Sequence, residues 1–212
     1  MASETATLNQ FEQGLLKYLS EEQLAKIQSV RIGIGGAGGL GSNCAMMLVR
    51  TGFKHIRLID QDVIDESNLN RQQYFLDEVG QDKVMVTRQR LLAINPELDI
   101  SAYKVKWTPQ TGHEHFNDCR FIIEAFDNAE WKYKFVEYYS DKVEAVISGV
   151  GMAGLLEKKP MTMKKVGNIY IVGDRCTDSA LGHPPMAPRV TMCAAKMAEI
   201  VLDLTLGVPI DF

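Results

Sequence analysis

Apolar and polar positions alternate along this chain with two distinct periods. Leu8, Phe11, Leu15, Leu16, Leu19, Leu24 and Ile27 recur at near-helical spacing, which predicts one or two amphipathic helices over Leu8–Ile27. Ser20 suits the cap of the second, with Gln23 able to close a capping box. Val30–Gly35 is a short apolar run and predicts a strand. Glycines follow it, and Ser42–Thr51 resumes a helical period through Ala45, Met46, Leu48 and Val49. Ile56–Ile59 predicts a second strand, ending at Asp60. Strand, turn, helix and strand in that order make a βαβ unit, which winds right-handed. Glu78–Ile94 predicts a long helix stopped by Asn95-Pro96. Leu98–Val105 alternates as a strand, Arg120–Ala125 reads as a buried strand, and Ala129–Tyr139 as an aromatic-rich helix.

Beyond Val143 the pattern changes. Val143–Val150 and Asn168–Val172 read as strands with no long helix between them, which predicts an antiparallel extension of the sheet. Gly173–Pro188, with its three prolines, reads as a loop, and Arg189–Leu206 as a closing helix. The expected fold is α/β: a Rossmann-like doubly wound, mostly parallel sheet with antiparallel C-terminal strands. A length of 212 residues suits one compact domain, with residues 1–28 as an N-terminal helical segment and 29–212 as the α/β body.

Composition narrows the function classes. No apolar run approaches the ~20 residues of a membrane span, and Met1–Gln10 lacks the basic-then-apolar layout of a secretion signal, so a cytoplasmic home is expected. The net charge of −4 argues against a nucleic-acid backbone as the main partner. Cys44, Cys119, Cys176 and Cys193 form no CxxC pair, so no zinc is expected. The four histidines show no metal-ligand spacing, and Trp107 and Trp131 read as packing residues.

The chemistry-bearing residues lie in two stretches. Gly33 to Gly41 holds GxGxxG in two registers, Gly33/Gly35/Gly38 and Gly36/Gly38/Gly41, and the second suits the strand end better. Glycines let the backbone approach an anion, and the next helix points free N–H groups at it. No Gly-Lys-Ser/Thr follows, so this is not a Walker A loop. The turn alone does not choose between dinucleotide, adenine-nucleotide and methyl-donor cofactors. Asp60 falls roughly twenty residues on, where a carboxylate accepts from ribose hydroxyls. Asp62 adds negative charge, and Ser67-Asn68-Leu69-Asn70 reads as a capped turn with groups for backbone or phosphate. Arg71 follows as a two-pronged phosphate clamp, and Lys83 is a candidate second cation. Asp127, after a buried strand, is a candidate Mg²⁺ ligand, with an N-cap role for Asp127 or Asn128 as the plainer alternative.

Together these residues resemble the ThiF/MoeB/HesA family, prokaryotic relatives of ubiquitin-activating enzymes. The glycine turn, Asp60 with Asp62, Ser67-Asn68-Leu69-Asn70-Arg71-Gln72, Lys83, Ile94-Asn95-Pro96 and Ala125-Phe126-Asp127-Asn128 appear in the family's order. The length and Met186-Ala187-Pro188-Arg189-Val190 look closest to a compact ThiF-like subgroup associated with thiamine biosynthesis. The resemblance implies a ThiF-like ATP-binding adenylyltransferase domain over residues 29–212. It implies ATP and Mg²⁺ as cofactors, a homodimer, and as partner a small ubiquitin-like sulfur-carrier protein ending in Gly-Gly, whose carboxylate is adenylylated. Carried over by position, Gly36, Gly38, Gly39 and Gly41 make the phosphate turn and Asp60 holds ribose. Asp62, Asn68, Asn70, Arg71 and Lys83 complete the nucleotide site, with Asp127 on magnesium. Arg71, Lys83 and Asp127 are the expected catalytic set, and Cys176, beside Arg175, is a candidate sulfur-transfer thiol. Unlike many family members, the chain has no CxxC pairs and no arginine before Arg31. A tRNA-modifying dehydratase of the same superfamily, or a non-catalytic partner of the activating-enzyme type, are the alternative readings.

Overall fold

The computed structural model describes residues 8–155, 159–177 and 182–211. Part of the expected Gly173–Pro188 loop and most of Met1–Gln10 therefore lie outside the described residues. Two short helices, α1 (Gln10–Leu15) and α2 (Glu21–Gln28), lead in. Ser20 accepts from the Gln23 amide at 3.1 Å while the Gln23 side chain accepts from the Ser20 amide at 2.9 Å, the reciprocal cap read from the sequence.

Seven strands then form one sheet: β1 (Arg31–Gly35), β2 (His55–Asp60), β3 (Asp99–Lys104), β4 (Phe121–Glu124), β5 (Ala145–Gly149), β6 (Thr162–Val166) and β7 (Ile169–Gly173). Their order is β3-β2-β1-β4-β5-β7-β6. All neighbours run parallel except β6 and β7, so the fold is the expected mostly parallel α/β sheet with an antiparallel C-terminal pair. The antiparallel partner is β6, an outer strand whose residues are mostly exposed, whereas β7 runs parallel to β5. With so little to bury, β6 carries no apolar run to announce it.

The helices α3 (Gly39–Arg50), α4 (Lys83–Ile94), α5 (Pro109–Phe116), α6 (Ala129–Tyr139) and α7 (Ala187–Leu206) cover the sheet. Period-2 alternation divides the core. Ile32, Ile34, Phe121, Ile123 and Ile147 join the cluster that includes buried residues of α3, α4 and α7. Ile122 and Val146 join Phe116, Phe135 and Tyr139 of α5 and α6. A Cβ at Gly33 would stand 2.7 Å from Ile122 and one at Gly35 2.7 Å from Phe135, so these two glycines admit side chains against β1. Among the described residues no helix is long and apolar enough to cross a membrane.

α7 starts two residues before the expected Arg189, and α3 and α4 depart further from where their periodicity predicts. α3 begins at Gly39, three residues before Ser42, because glycines carry the first turn where the apolar pattern is silent. α4 begins at Lys83, while Glu78 ends a separate 3₁₀ turn, Leu76–Glu78, and caps Phe75 through its carboxylate.

Candidate nucleotide cleft

The chain runs from β1 to β2 on one side and later crosses to β4 on the other, so a crevice opens between the C-terminal ends of β1 and β4. A cleft of about 640 Å³ lies there, a volume suited to a nucleotide. Each wall follows a parallel strand: Gly36, Gly38 and Gly39 after β1, Asp60 and Asp62 at and beyond β2, Asp127 after β4, Met152 and Ala153 after β5, and Arg175 and Cys176 after β7.

The glycine turn has a specific stereochemistry. Gly36 has φ of 101°, a region that L side chains rarely adopt, and its amide donates to the Ile59 carbonyl at 2.8 Å. A Cβ on Gly41 would overlap the Gly36 carbonyl oxygen, so Gly41 serves helix–turn packing and does not line the cleft. Gly38 is the N-cap of α3 and offers no side chain, while its carbonyl accepts the Ser42 amide at 3.0 Å. The N–H groups of Gly39, Leu40 and Gly41 precede the first intrahelical bond, leaving positive dipole at the cleft. Asp60 accepts from the Ala37 amide at 2.6 Å and the Asp62 amide at 2.7 Å, which fixes the turn against the end of β2. Burial pushes the Asp60 carboxyl above its ordinary value, although both amides and Lys83 pull it back.

Arg71 and Lys83 reach this turn from the segment after β2. The stem of Arg71 lies against Gly39, where an added Cβ would be 3.5 Å from its Cγ. Its Nη1 donates to the Ser67 carbonyl at 3.0 Å and to Asn70 Oδ1 at 2.7 Å, so no carboxylate neutralises the guanidinium among the described residues. Asn43 of α3, absent from the sequence reading, donates to the Arg71 carbonyl at 2.9 Å and holds this segment to the helix. Lys83 is buried, with Nζ 3.1 Å from Asp62 Oδ2. Gln72 Oε1 is buried without a partner among the described residues.

Besides Gly41, the predicted residues Asn68 and Asn70 sit outside the cleft lining. Asn68 Oδ1 accepts from the Asp65 amide at 3.2 Å and closes a capped 3₁₀ turn. Asn70 donates to the Pro185 carbonyl at 3.0 Å and ties the Arg71 segment to the loop before α7. Both act in this structure by shaping the wall that presents Arg71. At the β4 end, Asn128 caps α6 through the Glu130 and Trp131 amides. Asp127 is left exposed, with no side-chain hydrogen bond among the described residues. No group of three or more His, Cys, Asp or Glu among the described residues could hold a metal by itself. One free carboxylate on the cleft wall fits Mg²⁺ where a phosphate-bearing ligand shares the site, since the ion takes one or two carboxylates and completes its shell with phosphates and water.

Sequence reasoning missed two buried ion pairs. Glu124 ends β4 fully buried, 2.8 Å from Lys132 Nζ, and accepts from Ser148 at 2.6 Å and the Phe126 amide at 2.7 Å. Lys132 also donates to the Phe126 carbonyl at 2.9 Å, so this pair fixes the turn that presents Asp127. Asp174, at the end of β7, pairs with Arg189 of α7 at 2.8 Å. It also accepts from the amides of Cys176 and Thr177, both at 2.9 Å. Cys176 is exposed in the cleft wall, whereas Cys193 is core, its thiol pushed up to about 12 by burial. Trp107 and Trp131 pack edge to face as expected but also line the cleft, with Lys106 over the Trp131 ring.

The Asp174 network has a measurable pH signature. Burial alone would raise this carboxyl, but the Thr177 and Cys176 amides and the Thr177 hydroxyl bring it down to about 2. Its stabilisation is complete above the unfolded value of roughly 3.9 and is lost as pH falls through about 2. The gap in Tm between the wild type and Asp174→Asn should therefore narrow across that window in thermal melts. A gap of constant width would mean the charge contributes nothing.

Comparison with known proteins agrees with this architecture. The model of the ThiF family matches residues 12–170. The chain is 32% identical over 148 residues to a Bacillus subtilis tRNA threonylcarbamoyladenosine dehydratase, covering 69% of the chain and 58% of that protein. It is 36% identical over 108 residues to the Bacillus subtilis sulfur carrier protein ThiS adenylyltransferase, covering 50% and 32% respectively. The chain thus spans less than two thirds of the length of these two relatives. The fold also matches Escherichia coli tRNA N6-threonylcarbamoyladenosine dehydratase, solved in complex with ATP, with a TM-score of 0.81 at 23% identity over 93% of this chain and 94% of that one. Glycine turn, Asp60, Arg71 and Lys83 thus stand together within the matched span, and the chain belongs to the ThiF family.

Proposed function

We propose that this protein uses ATP to adenylylate the C-terminal Gly-Gly carboxylate of a ThiS-like sulfur-carrier protein, in thiamine biosynthesis. The observation that carries this reading is the convergence of Arg71, Lys83 and the glycine turn on one cleft with Asp60 at its edge. Asp60 receives the ribose hydroxyls. The free amides of α3 receive the α-phosphate, where the tail carboxylate attacks and pyrophosphate leaves. Carboxylate and triphosphate repel each other, and Arg71 and Lys83 offset that repulsion and stabilise charge on the departing pyrophosphate. Mg²⁺, held by Asp127 and phosphate oxygens, would supply further charge neutralisation when bound. No side chain need act as a nucleophile, because the substrate brings its own. Holding the two substrates in line does much of the remaining work. A homodimer and a single functional domain belong to the same reading.

The test is ATP–pyrophosphate exchange with a purified ThiS-type carrier, followed by mass analysis for a carrier–AMP adduct. Exchange should require the terminal glycine of the carrier and vanish when it is deleted. Exchange indifferent to that deletion would refute the assignment.

A second reading is favoured by the dehydratase relatives and by their coverage of the chain. The same cleft would then activate the carboxylate of a threonylcarbamoyl-modified tRNA base. The net charge of −4 weighs against an RNA partner. Filter binding of tRNA at moderate salt separates the two readings, since a carrier-specific enzyme should retain none.

A further inference from the structure

Arg175 is the one non-glycine residue with positive φ among the described residues, at 58°. Such a conformation persists in a side-chain-bearing residue only where its surroundings impose it. Here they do so from several directions. The Arg175 amide donates to the Val150 carbonyl at 3.0 Å. On one side the Asp174 carboxylate is buried and gathers the Cys176 and Thr177 amides, the Thr177 hydroxyl at 2.8 Å and the Arg189 guanidinium. Arg189 in turn donates to the Ala153 carbonyl at 3.2 Å and the Lys159 carbonyl at 3.3 Å. The strap after β7 is thus bolted to α7 and to the segment after β5, and it carries Arg175 into the cleft wall.

The charges of the cleft give this placement a meaning. Lys83 is paired with Asp62, Lys132 with Glu124, and Lys106 lies over an indole ring. The Arg175 side chain has no hydrogen-bond or ion-pair partner among the described residues. Its strand, β7, lies three places from β1 in the sheet, which at strand spacing is about 14 Å from the glycine turn. Arg71 and Lys83 come to that turn from the β2 side, so Arg175 approaches from the opposite side. In-line displacement at phosphorus sets the entering and leaving groups on opposite sides. A cation across from Arg71 and Lys83 therefore faces the entering group and not the pyrophosphate. A guanidinium fork matches a carboxylate.

We infer that Arg175, positioned by the Asp174–Arg189 pair, binds the carboxylate-bearing end of the acyl substrate and thereby sets the enzyme's affinity for it. The inference rests on the proposed adenylylation and names the residue that selects its second substrate.

Steady-state ATP–pyrophosphate exchange, with the ThiS-type carrier and ATP varied in turn, tests it. Arg175→Gly removes the guanidinium while accepting the positive φ. It should raise the KM for the carrier at least tenfold and leave the KM for ATP within twofold. Asp174→Asn, which keeps the arginine but loosens its support, should shift the same KM in the same direction by less. Arg175→Lys should recover part of the loss. A carrier KM within twofold of wild type in Arg175→Gly overturns the inference while wild-type exchange keeps the adenylylation reading intact. So does a rise confined to the KM for ATP or pyrophosphate, which would place Arg175 on the leaving group. Absence of carrier-dependent exchange in the wild type sinks the functional reading and the inference together.

Discussion

Arg71→Ala should lower ATP–pyrophosphate exchange roughly a thousandfold, the scale of losing a well-placed donor or arginine from a phosphoryl-transfer site. The guanidinium is presented by three contacts that do not neutralise it: the Ser67 carbonyl, Asn70 and the glycine surface at Gly39. Nothing in the core depends on it, so Tm should move by only a few degrees. Arg71→Lys keeps the charge but loses the paired donors, and should recover a minor share of the rate. Exchange assayed beside thermal melting distinguishes lost chemistry from lost fold. A variant that exchanges normally would remove Arg71 from the mechanism.

The largest expected effect on stability is at Gly41. Its missing side chain lets α3 sit directly on the Gly36 carbonyl, and a methyl there also comes within 3.3 Å of the Ala125 side chain. Backbone cannot rotate away as a flexible side chain can, so helix and turn must separate. Gly41→Ala should cost about 3 kcal/mol, near the upper end of overpacking losses. For a chain of this size that is a fall in Tm of about 6–12 °C. Gly14→Ala is the matched control, since an added Cβ at this helical glycine meets nothing within 4 Å. It should be neutral or slightly stabilising by helix propensity. Equal melting temperatures for the two variants would show that the close approach at Gly41 is not maintained in solution.

What could be read along the chain was whatever neighbouring residues settle among themselves. The Ser20–Gln23 cap closes over three positions, and hydrophobic period marked α6, α7 and the central strands. The glycine turn, Asp60 and the Asn68–Arg71 run are short signatures because backbone geometry and ligand chemistry act within a few residues. The start of α3 was legible only from its glycines, since apolar periodicity begins three residues later. β6 left no trace in the apolar pattern, because an exposed edge strand takes its identity from the ladder it pairs with.

The rest was decided by folding. Glu124 reads as one polar letter ending an apolar strand, and only packing of α6 onto β4 brings Lys132 and Ser148 to its two oxygens. Asp174 and Arg189 are joined across the loop before α7, and no local pattern links them. Asn70 is expected at the nucleotide, and its hydrogen bond to the Pro185 carbonyl, which ties the Arg71 wall to the loop before α7, is a contact no local pattern announces. The sequence by itself therefore determined the βαβ nucleus, its glycine turn and the candidate cations. Tertiary structure alone decided which charges are paired, which remain free in the cleft, and which glycines line the cleft and which meet a neighbouring backbone. The reason is physical: capping, turn formation and periodicity are interactions of short range along the chain. Pairing and desolvation of charge depend on distances that exist only after distant strands have aligned.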